Sequence, residues 1–222
     1  MLLTDSSTVL MHTSFSKRRV GGFTLVELLV SLAMIAVLVG LLLPALARPG
    51  KSPRIKCVNN LKNIGLAFRI FATDHQDRFP MQVSTNEGGS MEFTDDGVAF
   101  RHFLAMSNEL STPKIIVCPA DSKRQPALSF SAVRPANVSY FVPLDTPQAL
   151  LSGDRNLTTN GRPVRPGIVK LTTNILVGWS SEIHNLSGNV ALGDGSVQQL
   201  TGPRLAAVLS GAGQATNRIA VP

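Results

Sequence analysis

The chain has 222 residues, room for one soluble domain of ordinary size and a tail but not for two large domains, and its formal net charge is +7. Lys17, Arg18 and Arg19 sit together ahead of an apolar run; with Asp5 they sum to +2, so the chain after residue 22 carries +5. Its remaining Lys and Arg residues are scattered rather than striped with aromatics, which argues against a nucleic-acid groove.

Residues 23–47 read FTLVELLVSLAMIAVLVGLLLPALA. About 25 residues at a rise of ~1.5 Å suffice to cross a hydrocarbon core of about 30 Å, so this segment is expected to be a transmembrane helix. The basic cluster on its N-terminal side holds that end in the cytoplasm and sends the rest of the chain outward. Three details set it apart from a secretory signal. Gly21-Gly22 lie before the apolar run, where a secretory signal has its small cleavage residues after it. Glu27 places a carboxylate inside the run, a burial that calls for a partner. Pro44 falls near the outer end, where a missing backbone donor is expected to kink the helix.

The string G-G-F-T-L-V-E-L-L-V from Gly21 to Val30 resembles the processing signal of type IV prepilins and type II secretion pseudopilins. The resemblance implies cleavage between Gly22 and Phe23 by a membrane prepilin peptidase and N-methylation of the new Phe23 amine. It implies that Glu27 pairs with that amine on a neighbouring subunit during filament assembly, and that Pro44 is the helix-kinking proline. The partners it implies are the membrane, the peptidase/methyltransferase and other pilin or pseudopilin subunits. The implied location is a single pass of the inner membrane, with the C-terminal domain in the periplasm or outside the cell. A start at Met11 would give a leader of twelve residues, closer to the usual length.

The chain is thus expected to divide into a leader (1–22), a transmembrane and assembly helix (23–47), a breaker-rich linker (48–53) and an exported globular domain (54–222). Pro53 suits the first turn of a new helix, and Ile55, Val58, Leu61, Ile64, Phe68 and Phe71 repeat at helical spacing to about Thr73. A short helix is expected at residues 99–110. Strands are expected at 138–142, 168–172, 175–179, 189–192 and 196–200, with Asp194-Gly195 as a two-residue turn between the last two. Pro143, Pro147, Pro163 and Pro166 mark loops, and a short helix after Arg204 is expected to give way to a frayed end. The expected fold is α+β and pilin-like: a transmembrane helix, then an amphipathic helix packed on an antiparallel sheet.

Further strings resemble pilin-like proteins abundant in planctomycetes and verrucomicrobia. They are residues 56–64 with Asp74 and Arg78-Phe79-Pro80, then Cys118-Pro119-Ala120-Asp121, Gly153-Asp154-Arg155-Asn156, and His184 followed after nine residues by Asp194-Gly195. For the two cysteines, Cys57 and Cys118, a disulfide and a pair of separate buried thiols both fit the sequence. His12, His75, His102 and His184 lack metal-ligand spacing, and no Gly-x-Ser-x-Gly elbow is present, although His184 and Asp194 could make a base and its orienter near Ser180 or Ser181. Fastening a loop to the final hairpin is the preferred role for His184. Asp145, Asp154 and Asp194 do not form a calcium-loop pattern. No enzyme activity, metal or cofactor is expected.

Overall fold

A computed structural model describes residues 21–46, 52–145, 149–211 and 216–222. The chain divides into two units, residues 1–49 and 50–222. In the first, a single helix α1 spans Leu25–Leu46 and continues through Pro44. Its 18-residue stretch Leu25–Leu42 is long and apolar enough to cross a membrane. The leader residues 1–20, with His12 and the alternative start Met11, lie outside the described residues, as do residue 47 and linker residues 48–51.

The second unit opens with helix α2, Pro53–Asp74, whose N-terminus matches the expected use of Pro53 in a first turn. One face of α2, carrying Cys57, Leu61, Ile64, Phe68 and Phe71, is buried. The helix expected over residues 99–110 is two, α3 (Ala99–Leu104) and α4 (Ser107–Leu110), separated at Ala105 and Met106. Nine strands follow: β1 (Tyr140–Pro143), β2 (Leu150–Asp154), β3 (Leu157–Thr159), β4 (Arg162–Pro163), β5 (Gly167–Thr172), β6 (Val177–Trp179), β7 (Gly188–Leu192), β8 (Val197–Leu200) and β9 (Thr216–Val221). Helix α5, Gly202–Gly211, precedes β9.

Six strands form an antiparallel sheet in the order β5-β9-β1-β2-β7-β8, and β4-β3-β6 form a smaller antiparallel one. Both faces of the large sheet are covered, and strand alternation sorts its side chains between two cores. Tyr140, Val142, Leu151 and Ala191 face the core built on α2, while Phe141, Leu150, Val190 and Ile219 face the core completed by the small sheet and by Leu205 and Leu209 of α5. The architecture is α+β, with α2 packed on the antiparallel sheet.

Three expectations are corrected. The C-terminal end is a strand rather than frayed: β9 lies between β5 and β1, pairs along its whole length with β5, and buries Ile219, Ala220 and Val221. Burial of these apolar groups and the ladder hydrogen bonds supply the stabilisation that a small-residue tail lacks by itself. The final hairpin turns over three residues rather than two. Gly195 donates to the Leu192 carbonyl at 2.9 Å, Leu192 donates to the Ser196 carbonyl at 2.8 Å, and only Gly195 of the Asp-Gly pair has positive φ, +85°. This is a type I turn closed by a left-handed glycine. Pro143 and Pro163, expected in loops, instead end β1 and β4.

The two sheets meet tightly where Trp179 lies over Gly188; a Cβ there would sit 2.4 Å from the indole ring. Gly188→Ala should therefore cost about 1–3 kcal/mol by overpacking. Trp179, the chain's one tryptophan, reports the loss directly as a lower urea midpoint in fluorescence.

Candidate functional site

At the N-terminal end of the described chain, residues 21–24 are non-helical and exposed, so the Gly22–Phe23 peptide lies in accessible coil ahead of α1. The Leu28 amide donates to the Thr24 carbonyl at 3.2 Å, which makes Thr24 the residue capping the helix. The Glu27 amide donates to Thr24 Oγ1 at 3.2 Å, while the Thr24 amide and hydroxyl each donate to Glu27 Oε2 at 2.9 Å. This reciprocal pattern is a capping box, Thr-x-x-Glu, and it satisfies backbone donors that the first turn leaves open. It also holds a carboxylate at the positive end of the helix dipole, one turn from Phe23. Glu27 stands out in the sequence as a carboxylate in an apolar run, and the Thr-x-x-Glu spacing is the local signal that marks Thr24.

In the globular unit, four residues far apart in sequence meet inside the protein. Cys57 projects from the second turn of α2, Asp154 ends β2, Cys118 follows the turn Pro113–Ile116, and His184 lies between β6 and β7. All four are buried, and one donor atom of each lies within 4.8 Å of the others. Cys57 Sγ donates to Asp154 Oδ1 at 3.1 Å. His184 Nε2 stands 3.4 Å from both Cys118 Sγ and Asp154 Oδ2. The cysteines are free thiols, brought together rather than apart.

A second ring of contacts fixes these groups. Asn189 on β7 donates to Asp154 Oδ2 from its backbone at 2.6 Å and from Nδ2 at 3.0 Å, and the same Nδ2 reaches Cys57 Sγ at 3.6 Å. Tyr140, paired with Asp154 across β1 and β2, brings its hydroxyl to 3.4 Å from Cys57 Sγ. Asn60 Nδ2 ties the Cys118 segment to α2 by donating to the Val117 carbonyl at 2.9 Å. Arg54 Nη2 ties down the His184 loop by donating to the His184 carbonyl at 2.6 Å.

The two short motifs meet twice. Besides the approach of Cys118 and Asp154 to within 4.8 Å, Arg155 Nε and Nη2 donate to the two Asp121 oxygens at 2.7 and 2.8 Å, and Nη2 also reaches Glu182 Oε1 at 2.7 Å. Asn156 Nδ2 donates to the Ser180 carbonyl at 2.9 Å. Gly153 has no room for a side chain, because a Cβ would meet the Phe141 ring at 2.7 Å.

Burial raises the Asp154 pKa to about 7, with the neighbouring Cys118 adding to the shift. Burial also pushes the Cys57 thiol up. The neighbouring Cys57 side chain draws Cys118 below the usual thiol value, to about 5, against its own desolvation. Burial opposes the His184 imidazolium, but Cys118 and Asp154 together outweigh it and leave its pKa raised. The cluster thus holds three acidic side chains and an imidazole in a dry place where their charged forms are costly, and among the described residues no Lys or Arg hydrogen-bonds the Asp154 carboxylate.

The other singled-out residues lie elsewhere. Asp194 accepts from the Ser196 amide at 2.8 Å inside its turn, so His184 fastens to β2 and Cys118 instead of to the hairpin tip. Asp145 pairs with Arg218 on β9, at 2.9 Å from Nη2. His75 caps α2 through the Phe71 carbonyl at 2.8 Å, and buried His102 bonds Ser90 at 2.8 Å. Ser180 Oγ accepts from the Glu182 amide at 3.4 Å. A Cys118–His184–Asp154 line resembles a nucleophile with its base and orienter, but Cys118 is wholly buried and offers a substrate no approach.

Residues 17–43 match the family model of the prokaryotic N-terminal methylation motif. No curated protein and no solved structure matches the chain. The chain therefore carries a prepilin-type N-terminal methylation motif leading into an apolar helix, consistent with a type IV pilin-like signal.

Proposed function

We propose that this chain is the precursor of a filament subunit of the type IV pilus or type II secretion pseudopilus kind. Prepilin peptidase removes residues 1–22, Phe23 is N-methylated, and the mature helix passes from the inner membrane into a bundle of like helices. The globular unit lies in the periplasm or outside the cell. The observation that carries this reading is the coincidence, within residues 17–43, of the methylation motif, an exposed Gly22–Phe23 peptide and a carboxylate one turn beyond it. Pairing of Glu27 with the Phe23 ammonium of the next copy, in low dielectric, would fix the axial register of identical helices. A head-to-tail contact of that sort propagates. The α+β unit supplies the outer surface of such a filament by shape, with no catalytic group required.

N-terminal peptide mass spectrometry of the protein from its native membrane tests the processing. The expected mature terminus is methylated Phe23; an uncut chain beginning at Met1 or Met11 would refute it. A second reading, a membrane-anchored envelope binding module that keeps the signal without polymerising, is favoured by the breaker-rich segment 48–53, with Pro49, Gly50 and Pro53, which would uncouple the domain from a helical spine.

A further inference from the structure

We propose that Cys57, Cys118, Asp154 and His184 bind one divalent transition-metal ion, zinc being the ion their chemistry fits, in a closed structural site that fastens α2 to the sheet. Two sulfurs, an imidazole nitrogen and a carboxylate oxygen make a four-donor set of the type zinc takes. A tetrahedron with bonds of about 2.0–2.3 Å has edges of about 3.3–3.8 Å. The four donor atoms lie within 4.8 Å of one another; His184 Nε2 is 3.4 Å from both Cys118 Sγ and Asp154 Oδ2, and Cys57 Sγ is 3.1 Å from the other carboxylate oxygen, Oδ1. The same imidazole nitrogen, Nε2, faces both Cys118 and Asp154, as a ligand aimed at a common centre must.

Charge gives the same answer. Bound in this way, two thiolates, a carboxylate and a neutral imidazole carry three negative charges into a site where, among the described residues, no Lys or Arg hydrogen-bonds the carboxylate, and a dication cancels two of them. Whatever protons the four ligands still hold pass to solvent as the ion enters. The remaining negative charge meets the Asn189 and Tyr140 donors, which hold Asp154 and Cys57 in place as outer partners of a metal site do. A Cys57–Cys118 disulfide would account for two of the four groups and leave Asp154 and His184 buried beside it. Each ligand comes from a different segment and none is exposed, so the ion would join α2, the Cys118 loop, β2 and the His184 loop, with no open position for a substrate.

The test uses the full chain, purified in detergent without chelator from cells grown with zinc and, separately, with cobalt in its place. Elemental analysis should find about one zinc per chain, and the cobalt protein should show tetrahedral ligand-field bands with thiolate-to-cobalt charge transfer. Cys118→Ser should reduce that charge transfer. Asn189→Ala, which keeps all four ligands, should weaken zinc binding by about 10–100-fold. Metal-free wild-type protein, whether its cysteines are found free or joined as a Cys57–Cys118 peptide pair, overturns the proposal. So does bound cobalt without thiolate charge transfer. Both measurements on wild-type protein stand even if the variants fail to fold.

Discussion

Glu27→Gln should leave processing at Phe23 intact and abolish incorporation into sheared filaments. Glutamine can keep the capping box, since its side-chain oxygen also accepts from Thr24. It cannot supply charge. If Glu27 serves only to start α1, the variant is silent; if it pairs with the Phe23 ammonium of a neighbour, removing one partner of a buried ion pair costs about 3–5 kcal/mol, more than a hundredfold per contact. Thr24→Val is the complementary control. It removes the hydroxyl that receives the Glu27 amide, costs about 1 kcal/mol of helix start, and should leave filament yield near that of the wild type. The two variants, compared by immunoblot of sheared and membrane fractions, separate the assembly subunit from the anchored binding module: filament assembly with Gln at position 27 would sink the charge-pairing proposal.

Arg155→Ala should destabilise the globular unit by about 3–5 kcal/mol, because it removes the hydrogen-bonded counter-charge of the buried Asp121 carboxylate and leaves Arg124 as the nearby cation that does not hydrogen-bond it. The Ser139 hydroxyl, 2.8 Å from Asp121 Oδ2, and the Lys123 amide, 3.2 Å from Oδ1, would remain but carry no full charge to balance it. For a unit of this size the loss is about 2–4 °C in Tm per kcal/mol. The effect should depend on pH. Burial pushes Asp121 up, but Arg155 and Ser139 hold its pKa below the usual carboxylate value. A native pKa lower than the unfolded one stabilises the fold above the unfolded value of about 3.9, and that contribution is lost as pH falls through the native value. The gap in urea midpoint between wild type and Arg155→Ala, followed by Trp179 fluorescence, should therefore be widest near neutrality and close in acid. A gap that stays constant into acid would show that Arg155 acts through packing alone.

What could be read from the sequence was whatever depends on neighbours in the chain. The apolar run, the Gly-Gly and Glu27 within it, and α2 from Pro53 with its buried stripe are local patterns of length and period, and they predict the helices to within a residue or two. Five strands were legible for the same reason. β2 was not, because its Ser152-Gly153-Asp154 reads as turn chemistry, and only pairing with β1 and β7, across a register shift between Leu150 and Ser152, makes it a strand. β9 was not, because a short terminal segment has no periodicity to spare until β5 and β1 flank it.

The buried cluster shows the same divide. Cys57 lies 97 residues from Asp154 and Cys118 lies 66 from His184, so no spacing rule joins them. The sequence determined the N-terminal signal and the helices, since both are written in contiguous residues whose chemistry acts over one or two turns. The tertiary structure alone decided that two cysteines, an aspartate and a histidine share one dry site, because long-range strand pairing and the packing of α2, rather than proximity along the chain, bring them within reach of one ion.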